Sequence, residues 1–528
     1  MKRLIFMATA LVLLIITIIG CAQPSTESTK PAATSPTTTP AKTATPQLQY
    51  GGVFKEAQTS SPTNIGDPAV HPGPPPAYSP VGESLYFSDK QSNPVPRLAT
   101  KWEFAPDSKS VTFYLRQGVK FQDGTDFNAE AAKFCLDRGI NGQGPGLKPI
   151  KSVDIIDPYT IRVNWDKFDF SVWDSLGSLR APSRMVSPTA IKSHEEGWAR
   201  LNAVATGAFK LTSFKKDVSI IYDRFDSYWQ KGLPYLDRLE LVIFADSTTA
   251  LMAFKSGDID MMKNISANDA LDLKKDSRYN IVTAPGNAVY FGLSARTQGS
   301  PFANIKVRQA VNYAIDTKAL SDGIGRGYYL PSNQPYPPWN SGYNADIKGY
   351  PYDPAKAKQL LSDAGFPTGF KTKIYFTAGQ SQDMFVAVQT YLKAVGIDAE
   401  IQPVAAATLA DMQSKSGWDG LLAGQLQTVP GMDPGALMQS MGYVTRSTYF
   451  ISVLRTDDTQ ALLDQANSTA DFAARKVLLQ KMSKLIVDDY CMVLPIYNTQ
   501  VLTALQSKVN SVGLDEVRIT YELAWFAK

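Results

Sequence analysis

Between residues 97 and 131 the chain reads RLATKWEFAPDSKSVTFYLRQGVKFQDGTDFNAEA, and its apolar residues alternate with polar ones. Trp102 and Phe104, then Val111, Phe113 and Leu115, then Val119 and Phe121 recur at every second position, the period of strands with one buried face. Pro106-Asp107-Ser108 supplies a reversal between the first two runs, and Asp123-Gly124 makes a second tight turn. Asn128 stands where a helix cap is needed, with Glu130 against the positive end of the helix dipole. The expectation is a meander of strands delivering the chain into a helix. Further along, residues 148–163 read as two strands around Asp157-Pro158, and residues 239–245 as a buried strand. Residues 250–260 read as a helix, a glycine stop and a return strand. Val307, Ala310, Val311, Ala314 and Ile315 keep helical spacing. Asp353 caps a helix with Pro354 at its first position and Gly365 at its end. The glycine-rich run 323–327 reads as a loop.

The N-terminus is built differently. Lys2 and Arg3 precede 16 uncharged, almost wholly apolar residues, Leu4 to Ile19. This is short for a membrane span and has the layout of a secretory signal over residues 1–20. It ends Ile18-Ile19-Gly20-Cys21, which resembles a lipobox, so Cys21 is the expected lipidation site. Residues 22–47 hold 11 Ser/Thr, 5 Pro and 5 Ala, with no aromatic and no Leu, Ile or Val. Such a segment cannot bury enough apolar surface to offset the entropy of ordering. With Cys21 it reads as a disordered linker over residues 21–47, spanning roughly 25–30 Å as a flexible coil. The expected location is extracytoplasmic, lipid-anchored to the cell membrane.

The remaining length of about 480 residues is too long for one core, and two or three domains are expected. Without Lys2 and Arg3 the basic count falls from 53 to 51 against 49 acids, a net of +2. No basic stripe with interleaved aromatics accompanies it, so a nucleic-acid partner is not expected. Cys135 and Cys491 are far apart in sequence, and either a disulfide or two separate buried thiols fits.

Catalytic chemistry finds little support. His71 and His194 are the only histidines after the leader, neither in metal-ligand spacing, so no metal and no cofactor is expected. The run His194-Glu195-Glu196 reads as a solvated helix face. No G-x-S-x-G elbow is present. Pairing of carboxylates cannot be read from sequence, which leaves a secreted hydrolase as a rival reading. Binding is the better expectation, carried by two stretches rich in aromatic and polar groups. One is 328–343, with Trp339 and Asn340. The other is 418–449, with Trp418, Gln425, Gln427, Asp433, Arg446 and Tyr449.

The order of motifs resembles family 5 extracytoplasmic solute-binding proteins, which deliver peptides, nickel or other small solutes to ABC importers. The opening block matches at Leu98, Ala99, Trp102, Glu103, Thr112, Phe113, Leu115, Arg116, Gly118, Val119, Lys120, Phe121, Asp123, Gly124, Phe127, Ala129 and Glu130. Later blocks match at Asp226-Ser227-Tyr228-Trp229, at Pro301, Phe302, Asn304, Val307, Arg308, Ala310 and Tyr313 to Asp316, and at Tyr352 to Ala357. The resemblance implies an α/β (mixed α+β), two-lobed periplasmic-binding-protein-like fold with an extra N-terminal subdomain and an interlobe cleft. It places the first lobe at 48–288, with the subdomain at about 90–195, and the second at 289–496. Residues 497–528 return to the first lobe. It further implies a monomeric receptor without enzymatic activity, an ABC permease as partner, and an aromatic contact to ligand from Tyr497. Peptide-binding members hold the peptide ammonium with an aspartate upstream of a D/E-P pair. Here the segment before Asp433-Pro434 lacks an acid. Either Asp433 or Asp419 substitutes, or the ligand has no free α-amino group. A peptide-like solute is the first expectation, and an oligosaccharide or another non-peptide solute the second. The block at 97–131 is itself expected to lie remote from cargo.

Overall fold

The computed structural model describes residues 48–66, 75–89, 93–142, 145–177, 183–195, 197–428, 433–514 and 519–527. The leader, Cys21, the linker and most of the proline-rich run 71–76 lie outside the described residues.

Two long strands organise the rest. Tyr279–Leu293 and Val493–Gln506 pair antiparallel from Tyr279 opposite Gln506 to Gly292 opposite Val493. Their register shifts between Pro285 and Ala288, and again between Val289 and Tyr290. The sheet continues on both sides of this ribbon. One way lie Met261–Lys263, Val53–Gln58, Arg238–Ile243, Ser219–Arg224 and Phe209–Lys215. The other way lie Leu421–Gln427, Phe370–Thr377 and Ile397–Val404. The first side packs against two cores, one containing Phe54, Leu239 and Tyr222 and the other Phe254, Met262 and Leu502. The second side packs against two more, around Phe291, Val307 and Ile374 and around Trp418, Met438 and Tyr443. These are the two lobes. The ribbon belongs to both, and the kinks in its pairing fall where one lobe gives way to the other.

The 97–131 block forms the strands Ala99–Phe104 and Ser110–Leu115, with Ser108 at φ 56° in the reversal. Thr160–Trp165 and Ile150–Asp157 complete this separate four-stranded sheet. Asn128 caps the helix Ala129–Asn141 by accepting the Ala131 amide at 3.0 Å. Phe113 and Phe121 are fully buried, each contributing about 1.5–3 kcal/mol.

Three sequence expectations are corrected. Val119 and Phe121 are buried but form no strand, because Gly118 (φ 73°) and Gly124 (φ 87°) turn the chain on either side of them. Lys120 keeps a single bridge to Asp126. The run 323–327 is not a loop at its start, since Gly323 and Gly325 lie in the helix Thr317–Gly325. Asp316 caps that helix through the Ala319 amide at 2.9 Å, and this outweighs the poor helix propensity of glycine. Only a glycine fits at 325, where a Cβ would meet the Tyr329 side chain at 2.5 Å. The strand expected at 239–245 is Arg238–Ile243, cut short because Asp246 caps the helix Ser247–Ser256. His194 follows the short helix Pro188–Lys192 and stacks on Trp198 at 3.8 Å. Cys135 and Cys491 are both buried thiols, not joined to each other.

Candidate functional site

A cavity of about 310 Å³ lies between the lobes. That is the small end of the roughly 300–1,000 Å³ range of small-molecule sites. The first lobe contributes Phe170, Trp173 and Asp174, and the second contributes Asp433, Pro434, Phe472, Arg475 and Lys476.

The first wall is the helix Phe170–Gly177. Asp169 starts it, accepting the Ser171 amide at 2.8 Å and the Ser171 hydroxyl at 2.7 Å. Phe170, Val172, Trp173 and Leu176 are buried. Trp173 stacks on Tyr86 at 4.5 Å, whose hydroxyl donates to the Trp173 carbonyl. Trp102, Phe104 and Phe113 pack around the same indole at 5.7, 5.0 and 6.0 Å. The 97–131 block is therefore not remote from the cleft. It backs one of the cavity's walls through Trp173.

The second wall is two capped helices. Asp471 caps Phe472–Lys484 through the Ala474 amide at 2.8 Å. Asp433 caps Pro434–Ser440, its Oδ2 accepting the Ala436 amide at 2.8 Å. Its Oδ1 pairs with Arg475 Nη2 at 2.5 Å, with both side chains only 4 % exposed. The Arg475 guanidinium also lies 3.5 Å over the Phe170 ring, and its Nε has no acceptor among the described residues. Phe472 meets Phe170 and Trp173 edge-on at 5.6 and 6.1 Å. Asp174 is half-buried against this aromatic surface. Burial first, and then the negative charge of Asp433, push its carboxyl up to about 7, with Arg475 acting in the opposite direction. An aromatic slot holding a matched ion pair and one unmatched carboxyl can enclose and orient a small polar solute.

Of the residues expected from sequence, Asp433 lines this cavity. Arg446 pairs with Asp464 in a neighbouring polar hollow of about 460 Å³, which also takes Asp166, Lys167 and Asp169 from the first lobe. The others are placed elsewhere. Trp339 is half-buried, its indole donating to the Thr428 carbonyl, and Asn340 is buried, accepting the Gly342 amide at 2.9 Å. Trp418 sits in the second lobe's core, edge-on to Phe450 at 5.8 Å. Gln425 and Gln427 are exposed on the strand Leu421–Gln427, and Tyr449 is 40 % exposed. Tyr497 is buried, stacked near Tyr329 at 5.1 Å with its hydroxyl donating to Met384 Sδ at 3.3 Å. Sequence reasoning missed Phe170, Trp173, Asp174, Phe472 and Arg475. One signal was available: Asp174 is the only charged residue in a helical octet, FSVWDSLG, whose Phe170, Val172, Trp173 and Leu176 are apolar.

Comparison with known proteins places this geometry. The model of the bacterial extracellular solute-binding proteins, family 5, matches residues 93–447. Heme-binding protein A of Haemophilus influenzae is 33 % identical over 329 residues, which cover 57 % of this chain and 60 % of that protein. The glutathione-binding protein GsiB of Shigella flexneri is 31 % identical over 423 residues, 77 % of this chain and 80 % of that protein. Among solved structures, the ABC transporter-associated periplasmic binding protein DppA of Helicobacter pylori, in complex with the peptide STSA, superposes with a TM-score of 0.71 at 25 % identity. It covers 91 % of this chain and 99 % of that one. NikA of Brucella suis, in complex with Fe(III)-EDTA, shares the fold with a TM-score of 0.79 at 23 % identity, over 90 % of this chain and all of that one. The chain belongs to the bacterial extracellular solute-binding proteins, family 5.

Proposed function

We propose that this protein is the receptor of an ABC importer and captures a small, peptide-like solute in the cavity lined by Asp174, Asp433 and Arg475. The observation that carries the reading is a cavity with walls from both lobes, so that opening the lobes frees the solute and closing them encloses it. Two relatives are named for peptide ligands, glutathione and STSA, which supports a peptide-like solute. The lobes run over 48–288 with 497–528 and over 289–496, with the register shifts at 285–290 as the hinge. Cys21 carries the lipid anchor, residues 22–47 span from it to the folded body, and the closed form is what the permease receives. No step of this cycle calls for bond-making by the protein.

A bound solute stabilises the fold by RT ln(1 + [L]/Kd), about 2.7 kcal/mol at a hundredfold excess over Kd. Thermal-shift measurement with glutathione, STSA, pooled di- to tetrapeptides, oligosaccharides and hemin tests the reading. Stabilisation by one class identifies the cargo, and a flat response across all of them would refute capture. Cys21→Ala is expected to release the protein from the membrane fraction or leave it unprocessed, and unchanged retention would refute the anchor.

A further inference from the structure

The acid expected on the second lobe for a ligand's amine is not available there. Asp433 has its charge matched by Arg475 and its second oxygen on a helix cap. Asp419 is exposed and accepts from the Ser294 hydroxyl at 3.1 Å, bordering a hollow formed with Lys371 and Lys373 rather than the cavity. Asp174, on the opposite lobe, is the cavity acid that takes no side-chain hydrogen bond and no ion pair from any described residue.

Resting on the receptor reading, we propose that Asp174 anchors a protonated amine of the solute, so that the solute's cationic end points into the first lobe. Among the described residues, few charges face this carboxyl. Asp433 and Arg475 come from the second lobe as a pair, and Lys476 is exposed on the same helix as Arg475. A partly buried carboxylate beside a like charge is unfavourable until a cation joins it. An ammonium at Asp174 supplies that cation and relieves the repulsion from Asp433. Phe170, Trp173 and Phe472 line the same space and give it an aromatic wall. A neutral or anionic group at this position leaves the carboxyl unmatched. Burial and the nearby charge of Asp433 push the Asp174 carboxyl up to about 7, which agrees with a group that awaits a charge partner.

Calorimetry on the full folded body, with glutathione, STSA and the pooled peptides in free-amine and N-acetylated forms, tests this on wild type, Asp174→Asn and Asp174→Glu. Wild type is expected to prefer the free amine by at least about thirtyfold, the range for removing one partner of a buried charge pair. Asp174→Asn is expected to lose that preference, with circular dichroism and a cooperative melt reporting that the variant is folded. Asp174→Glu is expected to keep part of the preference. Equal binding of both forms by wild type would overturn the role of Asp174 and leave the receptor reading standing. So would a free-amine preference that survives in Asp174→Asn. Failure of every peptide to bind wild type overturns the peptide reading itself, and this inference with it.

Discussion

Replacing Arg475 with methionine removes one member of the ion pair that closes the second lobe's side of the cavity. Methionine keeps a flexible apolar stem beneath Phe170, so the packing loss is small compared with the electrostatic one. Asp433 and Arg475 are each 4 % exposed at the side chain, so water cannot take over when the guanidinium goes. Removing one partner of a buried pair typically costs about 3–5 kcal/mol because the other charge remains buried. Here a second carboxyl, Asp174, faces the same space and adds to the cost. Asp433→Asn alone leaves a buried guanidinium but retains the cap on Pro434–Ser440, since asparagine caps as well as aspartate. The double variant removes both charges and is expected to recover at least about 2 kcal/mol of the sum of the single losses. Native-state hydrogen exchange on the amides of Pro434–Ser440 and Phe472–Lys484 reads these free energies locally, avoiding the assumption that a two-lobed protein unfolds in one step. An Arg475→Met protein within about 0.5 kcal/mol of wild type at pH 8, the spread of ordinary surface substitutions, would refute the pair's role.

Three further outcomes follow from the same geometry. The Asp174 carboxyl rises from an ordinary 3.8 to about 7, so the folded state holds its proton longer than the unfolded state. Stability therefore falls as pH rises from about 4 to 7, and Asp174→Asn removes that fall. Between pH 5 and pH 8 the advantage of the variant should grow by at most about 2–3 kcal/mol, and parallel melting curves across this range would contradict it. Phe472→Ala removes two edge-on aromatic contacts between the lobes, each about 0.5–1.5 kcal/mol. Small-angle scattering of the solute-free variant should show a larger radius of gyration than wild type, and an identical profile would exclude Phe472 as a brace. Arg97 binds Glu83 at 2.7 Å, Tyr228 at 2.6 Å and Glu522 at 3.1 Å, tying the C-terminal segment to the first lobe. Arg97→Met should cost about 3–5 kcal/mol and speed proteolysis near residue 522; an unchanged cleavage rate would argue against the tie.

The strands and helix caps of the fold were readable because local chemistry decides them. Asn128 and Asp353 each cap the helix that their sequence context announces. The alternation at Val111, Phe113 and Leu115 gives a strand with that face buried. The cavity was less readable. Aromatic density in 418–449 pointed to ligand, but Trp418 and Tyr443 meet the second lobe's own core, and nothing local distinguishes the two uses of a ring. Phe170 and Phe472 are separated by about three hundred residues and meet only because the lobes face each other. Arg475 looks like one of many helix-surface cations until its helix is set against Asp433.

The ribbon formed by Tyr279–Leu293 and Val493–Gln506 carries a mechanical consequence. Two separate linkers would let the lobes swivel in several directions, whereas two strands bonded side by side resist shear and bend chiefly across their own pleat. The irregular pairing at 285–290 concentrates that bending in one place. In the proposed cycle, opening and closing then follow one path whatever lies in the cavity. The solute changes how long the protein stays shut, and the surface offered on closing is the same for every cargo it accepts.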